Sequence, residues 1–225
     1  MENKLSGKKI GINAKDSIII YGNGGMSQSL FIRLTQEFKG IEVKCFTVEK
    51  AYLNSSMLLN IPVIPFEYIE SEFSPLTSKF LMPIGYMDHN RVREKIYYQT
   101  KDKGFNFLNY ISPKSIISDD IHFADNTLIY EGAILEPFVK IGFNTIIRTN
   151  TLVGHHTKIG NNVFLASGVN IAGNVTISDN CFIGIGATIS NNITLHEGSI
   201  IGAGAVVISD AESYSTYVGN PSRKV

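Results

Sequence analysis

From Ile117 to Val207 every sixth residue is large and apolar: Ile117, Phe123, Ile129, Leu135, Ile141, Ile147, Val153, Ile159, Leu165, Ile171, Ile177, Ile183, Ile189, Leu195, Ile201 and Val207. That is sixteen consecutive positions without a slip. Four residues after the beat stands a small or β-branched side chain, as at Thr127, Ala133, Val139, Thr145, Val163, Val175, Cys181, Ser199 and Ala205. The residue directly after it is often small, as at Gly142, Gly154, Gly160, Ala166, Ala172, Gly184 and Gly202. Neither the 3.6-residue period of a helix nor the two-residue period of a strand gives this pattern. A parallel β-helix does: each hexad supplies a short strand and a corner, three hexads close a triangular coil, and the beat residues stack inside. Residues 18 apart then lie above one another, and about five coils fit between Ile117 and Val207. The unbroken beat predicts that no long loop interrupts them.

Ahead of the beat the pattern changes. In "DSIIIYGNGGMSQSLFIRLTQEFKG" an apolar run over Ile18–Tyr21 predicts a strand, followed by a glycine turn and a helix carrying Leu30, Phe31 and Leu34. "IEVKCFTV" predicts a second strand. "FLMPIGYMDHNRVREKIYYQTKDKGFNFLNYIS" predicts a strand, an amphipathic helix with Val92, Ile96 and Tyr97, and a further strand. Strands alternating with helices argue a small Rossmann-like α/β domain. The expected architecture is therefore α/β plus all-β: a polar leader over 1–15, a Rossmann-like domain over 16–112, a parallel β-helix over 113–208 and a tail over 209–225. The boundary between the two domains is set at "SPKS".

Composition narrows the partners. Lys+Arg and Asp+Glu are 20 each, so the net charge is zero and nothing electrostatic recruits nucleic acid or an anionic membrane. Cys45 and Cys181 are far apart and have no metal-like spacing, which suits a reducing compartment. The start of the chain lacks the apolar core of a signal peptide, and no apolar run approaches the length of a membrane span. The expected setting is the cytoplasm.

Two of the five histidines stand side by side, His155 and His156. His155 comes two residues after the inward Val153, so it should face outward, and a count of 18 puts Gly173 on the next coil of the same face. A neutral imidazole beside a bare backbone N–H provides the two parts of acyl transfer, a general base and an oxyanion donor. The competing reading of His155 is a solvated surface histidine, and His156 reads as a neighbour that hydrogen-bonds or meets substrate. No carboxylate or cysteine sits near the pair at ligand spacing, so no metal is expected. His89, His122 and His196 are isolated. In the front domain Gly22, Asn23, Gly24 and Gly25 open a helix after a strand, a place suited to phosphate oxygens. Ser27 stands where G-x-G-x-x-G would have its third glycine, and a tight strand-to-helix turn is the alternative reading.

The landmarks "IIIYGNGG", "IPVIPFEYIE", "IGYMDHNRVREKIY", "LVGHHTKIGNN", "AGNVTISDNCFIGIGATI", "IIGAGAVV" and "VGNPSRK" resemble the PglD/NeuD-type sugar acyltransferases of the hexapeptide-repeat superfamily, over nearly the whole chain from about Asp16. The resemblance implies a left-handed β-helix, an exception to the usual right-handed crossover. It also implies acetyl-CoA or another acyl-CoA as co-substrate, a nucleotide-linked amino sugar as acceptor, and a homotrimer with acyl-CoA between two subunits. By resemblance His155 is the general base. His156 stands where the family has an acidic residue that orients it, and Phe164 stands where some relatives carry a second histidine. The pantetheine would run near Gly173, Gly184 and Ile185, then Gly202, Ala203 and Gly204, with the adenine end near Pro221. Arg223 and Lys224 are the only basic pair available to CoA phosphates there. Relatives recognise uracil with two acids after the second strand; this chain reads "TVEK", leaving Glu49. The function implied is N-acylation of a nucleotide-linked amino sugar in bacterial glycan biosynthesis. The alternatives are O-acylation of a sugar and, in another class, a non-catalytic β-helical scaffold.

Overall fold

A computed structural model describes residues 17–225; the polar leader lies outside the described residues. The chain forms two compact units. One comprises the chain up to Gly85 together with Lys95–Asn109; the other comprises Tyr86–Glu94 and Tyr110–Val225.

In the first unit β1 (Ser17–Tyr21), β2 (Glu42–Val48), β4 (Ile61–Pro65), β5 (Ser78–Leu81) and β6 (Asn106–Phe107) pair in parallel, and β3 (Met57–Leu58) adds an antiparallel edge against β4. The sheet order is β3-β4-β2-β1-β5-β6, so the chain crosses from one side of β1 to the other after β4. Three consecutive isoleucines, Ile18–Ile20, are wholly buried in central β1, because a parallel strand covered on both faces has no polar side. Helix α1 (Gly25–Glu37) buries Leu30 and Leu34, while Phe31 is only half-buried. Helix α2 (Ile69–Glu72) is a single turn; of α3 (Arg91–Asp102), the part from Lys95 on belongs to this unit and buries Ile96 and Tyr97, the latter stacked on Phe107 at 4.8 Å. The glycine turn and the loop after β2 lie at the C-terminal edge of this sheet, where the strand order reverses, a position at which open α/β sheets bind ligands.

In the second unit the hexad beat is a triangular prism. Its faces are sheets of six, four and eight strands. The parallel pairings step by 18 residues from Tyr110↔Leu128 through Thr188↔Val206. The ladder therefore starts before residue 113. It also runs past 208: Ala211 bridges Leu195 and Tyr217 pairs Ile201, at a shortened step of 16, and Arg223–Lys224 turns back antiparallel on Tyr217 and Val218. Strand pairing thus extends on both sides of 113–208: Ile111 keeps the six-residue beat upstream, and only the last coil shortens its step. The beat residues from Ile129 on are buried, and each buried aliphatic of this size contributes about 1.5–3 kcal/mol.

The third residue after the beat turns each corner with positive φ from Asn126 to Gly204. It is Asn or Gly at every corner except two, Phe138 (φ 66°) and His156 (φ 59°). Asn and Gly enter this region at least cost, and other side chains carry a penalty of about 1–2 kcal/mol. The corners fall into three columns. One holds Asn126, Asn144, Asn162, Asn180 and Gly198; one holds Gly132, Asn150, Gly168, Gly186 and Gly204; one holds Phe138, His156, Asn174 and Asn192. We call them the asparagine, glycine and histidine corners.

Candidate active site

His155 and His156 turn the histidine corner, and both are exposed. The main chain ties them into the coils. Asn174 N donates to His155 O at 2.9 Å, His156 N donates to Pro137 O at 3.1 Å, and His155 N donates to Glu136 Oε2 at 2.8 Å. The imidazole of His155 lies flat against the next coil at Gly173. A Cβ added to Gly173 would stand 2.5 Å from its Cε1, 2.6 Å from Nε2 and 3.0 Å from Nδ1. Gly173 is also the only glycine among the residues two positions after the beat; its counterparts include Phe143, Asn161, Asp179, Ile185 and Glu197. Among the described residues no acceptor takes the Gly173 N–H. An imidazole and a free N–H thus share one spot. His155 Nδ1 faces His156 Nδ1 at 3.2 Å, and the His156 ring lies on Phe138 at 4.6 Å between centroids. His156 and Phe138 line a shallow cleft of about 520 Å³ with Lys140, Lys158, Asn174 and Thr176.

The remaining prism residues read as ligand contacts fall on another corner. Gly184, Ile185, Gly202, Ala203 and Gly204 gather at the glycine corner, one face away from Gly173. Gly184 and Gly202 have a reason in the fold itself. A Cβ on Gly184 would lie 2.5 Å from Ala203 N, and one on Gly202 would lie 2.8 Å from Val218 Cγ1. Gly204 meets nothing within 4 Å, and Ile185 is exposed. Pro221 sits in the turn between Val218 and Arg223, following a cis peptide bond. Lys224 is paired to Glu212 at 2.5 Å. Phe164 is buried, stacked with Phe182 at 5.7 Å and covered by Arg93.

In the glycine turn of the first unit, Gly22 is the one demanded by the backbone, with φ 104° and Ser27 Oγ in the place of a Cβ. Added Cβ atoms at Gly24 and Gly25 would meet nothing within 4 Å. The N-terminus of α1 has no capping side chain and no acid in its first turn. Its open N–H groups and positive dipole end suit an anion. Asn23 is engaged by the protein: its Nδ2 donates to Tyr52 O at 3.1 Å and Asn54 Oδ1 at 3.2 Å. Glu49 lines a cleft with Phe66, Glu67, Gln99, Asp102 and Lys103. Glu67 escaped the sequence reading. It comes from the turn after β4, and its carboxylate accepts from Lys50 N at 2.9 Å. Glu136 was also missed, although a count of 18 back from Gly154 finds it.

Among the described residues no group of three or more His, Cys, Asp or Glu could hold a metal ion, and no helix is long and apolar enough to cross a membrane. Both thiols are buried and free, and burial pushes Cys181 up to about 11 and Cys45 to about 12, so neither is a thiolate nucleophile.

The bacterial transferase hexapeptide (six repeats) family matches residues 138–173, 156–191 and 174–209. All three matched stretches lie within the prism. Comparison with curated proteins by sequence gave no match. Among solved structures the chain is similar to WeeI from Acinetobacter baumannii AYE, at 25% identity and TM-score 0.85, covering 93% of this chain and 99% of that one. It is similar to PerB from Caulobacter crescentus in complex with CoA and GDP-perosamine, at 24% identity and TM-score 0.83, covering 96% and 99%. It is also similar to the acetyltransferase domain of PglB from Neisseria gonorrhoeae FA1090, at 23% identity and TM-score 0.82, covering 93% and 99%. The fold of this chain is accordingly a small α/β unit followed by a left-handed β-helix.

Proposed function

We propose that this chain is an acyl-CoA-dependent sugar N-acyltransferase that acetylates the amino group of a nucleotide-linked amino sugar, with His155 as general base. The observation that carries the proposal is the imidazole of His155 held against Gly173, whose N–H is free. His155 Nε2 takes the proton of the attacking neutral amine as the C–N bond forms at the thioester carbonyl. The Gly173 N–H donates to the carbonyl oxygen as it gains charge. The C–S bond then breaks, and the leaving thiolate receives the proton from Nε2, which returns the imidazole to its neutral state. The similarity to a CoA and GDP-perosamine complex supports an acyl-CoA donor and a nucleotide-sugar acceptor. The uncapped α1 N-terminus, with room over Gly24 and Gly25, supports a diphosphate in the first unit.

The division between corners supports a shared site. His155 and Gly173 stand on the histidine corner, whereas the open Gly204 and exposed Ile185 stand on the glycine corner. One extended acyl-CoA meets both sets when a second copy brings its glycine corner beside the histidine corner of the first. A ring of three copies closes this arrangement with every site complete. Light scattering at micromolar concentration should give a trimer; a monomer with full activity would remove the shared groove.

The testing experiment supplies acetyl-CoA with a panel of UDP-, GDP- and dTDP-linked amino sugars and follows CoA release. At least one acceptor should be acetylated by the protein and left untouched by His155→Ala. Equal turnover by His155→Ala would reject the assignment. Acetylation of a hydroxyl in place of the amine would reassign the reaction to O-acyl transfer.

A further inference from the structure

The corner that carries the histidines is built at a conformational cost that the other corners of the 18-residue coils avoid. On those coils Phe138 and His156 are the two residues other than Asn or Gly that turn a corner with positive φ, and they are 18 residues apart, stacked one above the other; Tyr214 (φ 52°) does the same only on the shortened last coil. The backbone supports this arrangement, since Phe138 N donates to Asp120 Oδ2 at 2.6 Å and His156 N to Pro137 O. Strained residues that persist where an easier one would fit point to a role for the side chain.

The geometry defines that role. His155 Nδ1 and His156 Nδ1 are 3.2 Å apart, a hydrogen-bond distance between two atoms of the same kind. One proton lies between them, so one nitrogen donates and the other accepts. The two arrangements differ in consequence. If His156 donates, His155 carries its own proton on Nε2 and cannot act as a base there. If His155 donates, its Nε2 is bare and lies along the ring edge that faces Gly173. The carboxylate beside His155, Glu136, is bound to its backbone N–H. We propose that His156 is the positioning residue for His155: its Nδ1 accepts the Nδ1 proton of His155, selects the tautomer with a free Nε2 and fixes the ring against the next coil. Phe138 in turn holds the His156 ring. The pair thus does with a neutral acceptor what a carboxylate does for a histidine elsewhere.

A neutral acceptor has a consequence that a carboxylate lacks. Protonating His156 turns its Nδ1 from acceptor to donor, which drives His155 into the wrong tautomer. Protonating His155 removes the base directly. Loss of either neutral ring therefore stops turnover, and two like charges at this distance also repel. The other charged groups at this corner are Glu136 on the preceding coil and Lys140 and Lys158 along the adjoining face.

The inference rests on the acyl-transfer reading, and its test has one arm that does not. In the activity arm, His156→Gly removes the ring but installs a residue these corners otherwise use, so Tm should hold or rise. At the same time kcat should fall by on the order of 10-fold to 100-fold with KM little changed. His156→Asn and His156→Asp, each able to accept a hydrogen bond from Nδ1, should recover most of the loss. In the second arm, nitrogen-15 NMR of the imidazoles reads the tautomer directly: His155 should carry its proton on Nδ1 in the unmodified protein and lose that preference in His156→Gly. A protonated Nε2 on His155 in the unmodified protein would overturn the proposal whatever the substrate. So would normal kcat in His156→Gly, or a loss that neither Asn nor Asp recovers. If no acceptor is acetylated by the unmodified protein, the functional reading fails and the NMR arm still decides the pairing.

Discussion

The asparagine corner and the histidine corner share a backbone and carry opposite chemistry. Both turn on residues with φ near +60° and both repeat every 18 residues. At the asparagine corner most polar groups are consumed, with Asn90 Oδ1 and Asn180 Oδ1 left buried without a partner among the described residues. Asn126 donates to Asn144 and Asn144 to Asn162, each at 2.7 Å, and Asn162 donates to Glu94 Oε1 at 3.1 Å. The carbonyls of successive coils are taken as well: Asn162 O by Arg93 at 2.5 Å, Cys181 O by Asn90 at 3.0 Å and Gly198 O by His89 at 2.9 Å. At the histidine corner both imidazoles are exposed and the Gly173 N–H has no acceptor among the described residues, and Phe138 and His156 stand where the other 18-residue coils have Asn or Gly. The first corner is closed to ligand and holds the prism together. The second is open and less stable than it could be, which is the usual direction of a trade between stability and activity.

If this contrast is real, damage at the two corners separates into different measurements. The largest effect is expected from His155→Ala, which should lower kcat by about 10²–10⁴-fold, the range for removal of a general base, with a modest change in KM. Its side chain is exposed, so thermal unfolding should match the unmodified protein. A drop in Tm together with kcat would mean that the histidine corner is structural after all.

Arg93→Met probes the opposite corner. Arg93 is fully buried, and burial pulls its guanidinium down to about 9, so it remains charged at neutral pH while donating to Asn162 O and Val163 O. Loss of hydrogen bonds from a charged donor should cost about 1.5–3 kcal/mol. For a chain of this length each 1 kcal/mol corresponds to about 2–4 °C in Tm. Below the new transition kcat should be unchanged. A large kcat defect in folded Arg93→Met would couple the two corners and break the contrast.

Different parts of this arrangement were legible in the sequence to different degrees. The prism was plain, because its core repeats at fixed spacing and each coil packs only on its neighbours. The pairing of His155 with Gly173 followed from the same count of 18. The seal on the asparagine corner was hidden, because Asn90, Arg93 and Glu94 reach it from a segment far upstream that reads as the start of an ordinary amphipathic helix. Glu67 was hidden for a similar reason: its contact with Lys50 crosses two different connections. Gly184 and Gly202 carry a second reason that the sequence did not display. They were singled out for ligand, yet each is also required by the coil above it. The strain at Phe138 and His156 was visible in principle, since both interrupt an Asn/Gly column.

Two glycines on adjacent coils sharpen the comparison within the histidine corner. An alanine Cβ at Gly154 would lie 2.6 Å from Ala172 C and 2.7 Å from Gly173 N, both backbone atoms that cannot swing away. At Gly173 the same Cβ meets only the His155 ring, which can. Gly154→Ala should therefore destabilise by about 1–3 kcal/mol through overpacking. Gly173→Ala should keep its Tm and lose roughly 10-fold or more in kcat, as expected when a base is moved by about 1 Å. The pair is read by calorimetry and steady-state kinetics. A Gly173→Ala protein with normal kcat would show that the ring tolerates displacement and that its contact with Gly173 is incidental.

The smallest effect, and the one of unusual sign, concerns Phe138. Its φ of 66° is the conformation that Asn adopts at the equivalent corners, and its side chain is 58% exposed, so burial offsets little of the strain. Phe138→Asn should recover about 1–2 kcal/mol of backbone strain. It should also lose the contact with His156, worth about 0.5–1.5 kcal/mol for a ring pair. The net change in stability should lie between about 0.5 kcal/mol against the variant and about 1.5 kcal/mol in its favour, centred on a gain of about 0.5 kcal/mol or about 1–2 °C in Tm. The reciprocal change, Asn192→Phe, places the same side chain at the same φ without a ring beneath it and should cost about 1–2 kcal/mol. Turnover should respond in the opposite sense to stability: Phe138→Asn frees the His156 ring and should lower kcat by a few-fold, whereas Asn192→Phe should leave kcat alone. A clear fall in the Tm of Phe138→Asn would mean that the aromatic contact outweighs the backbone strain. The corner would then be held by its side chains in the same sense as its counterpart, and the contrast between the two would be one of exposure alone.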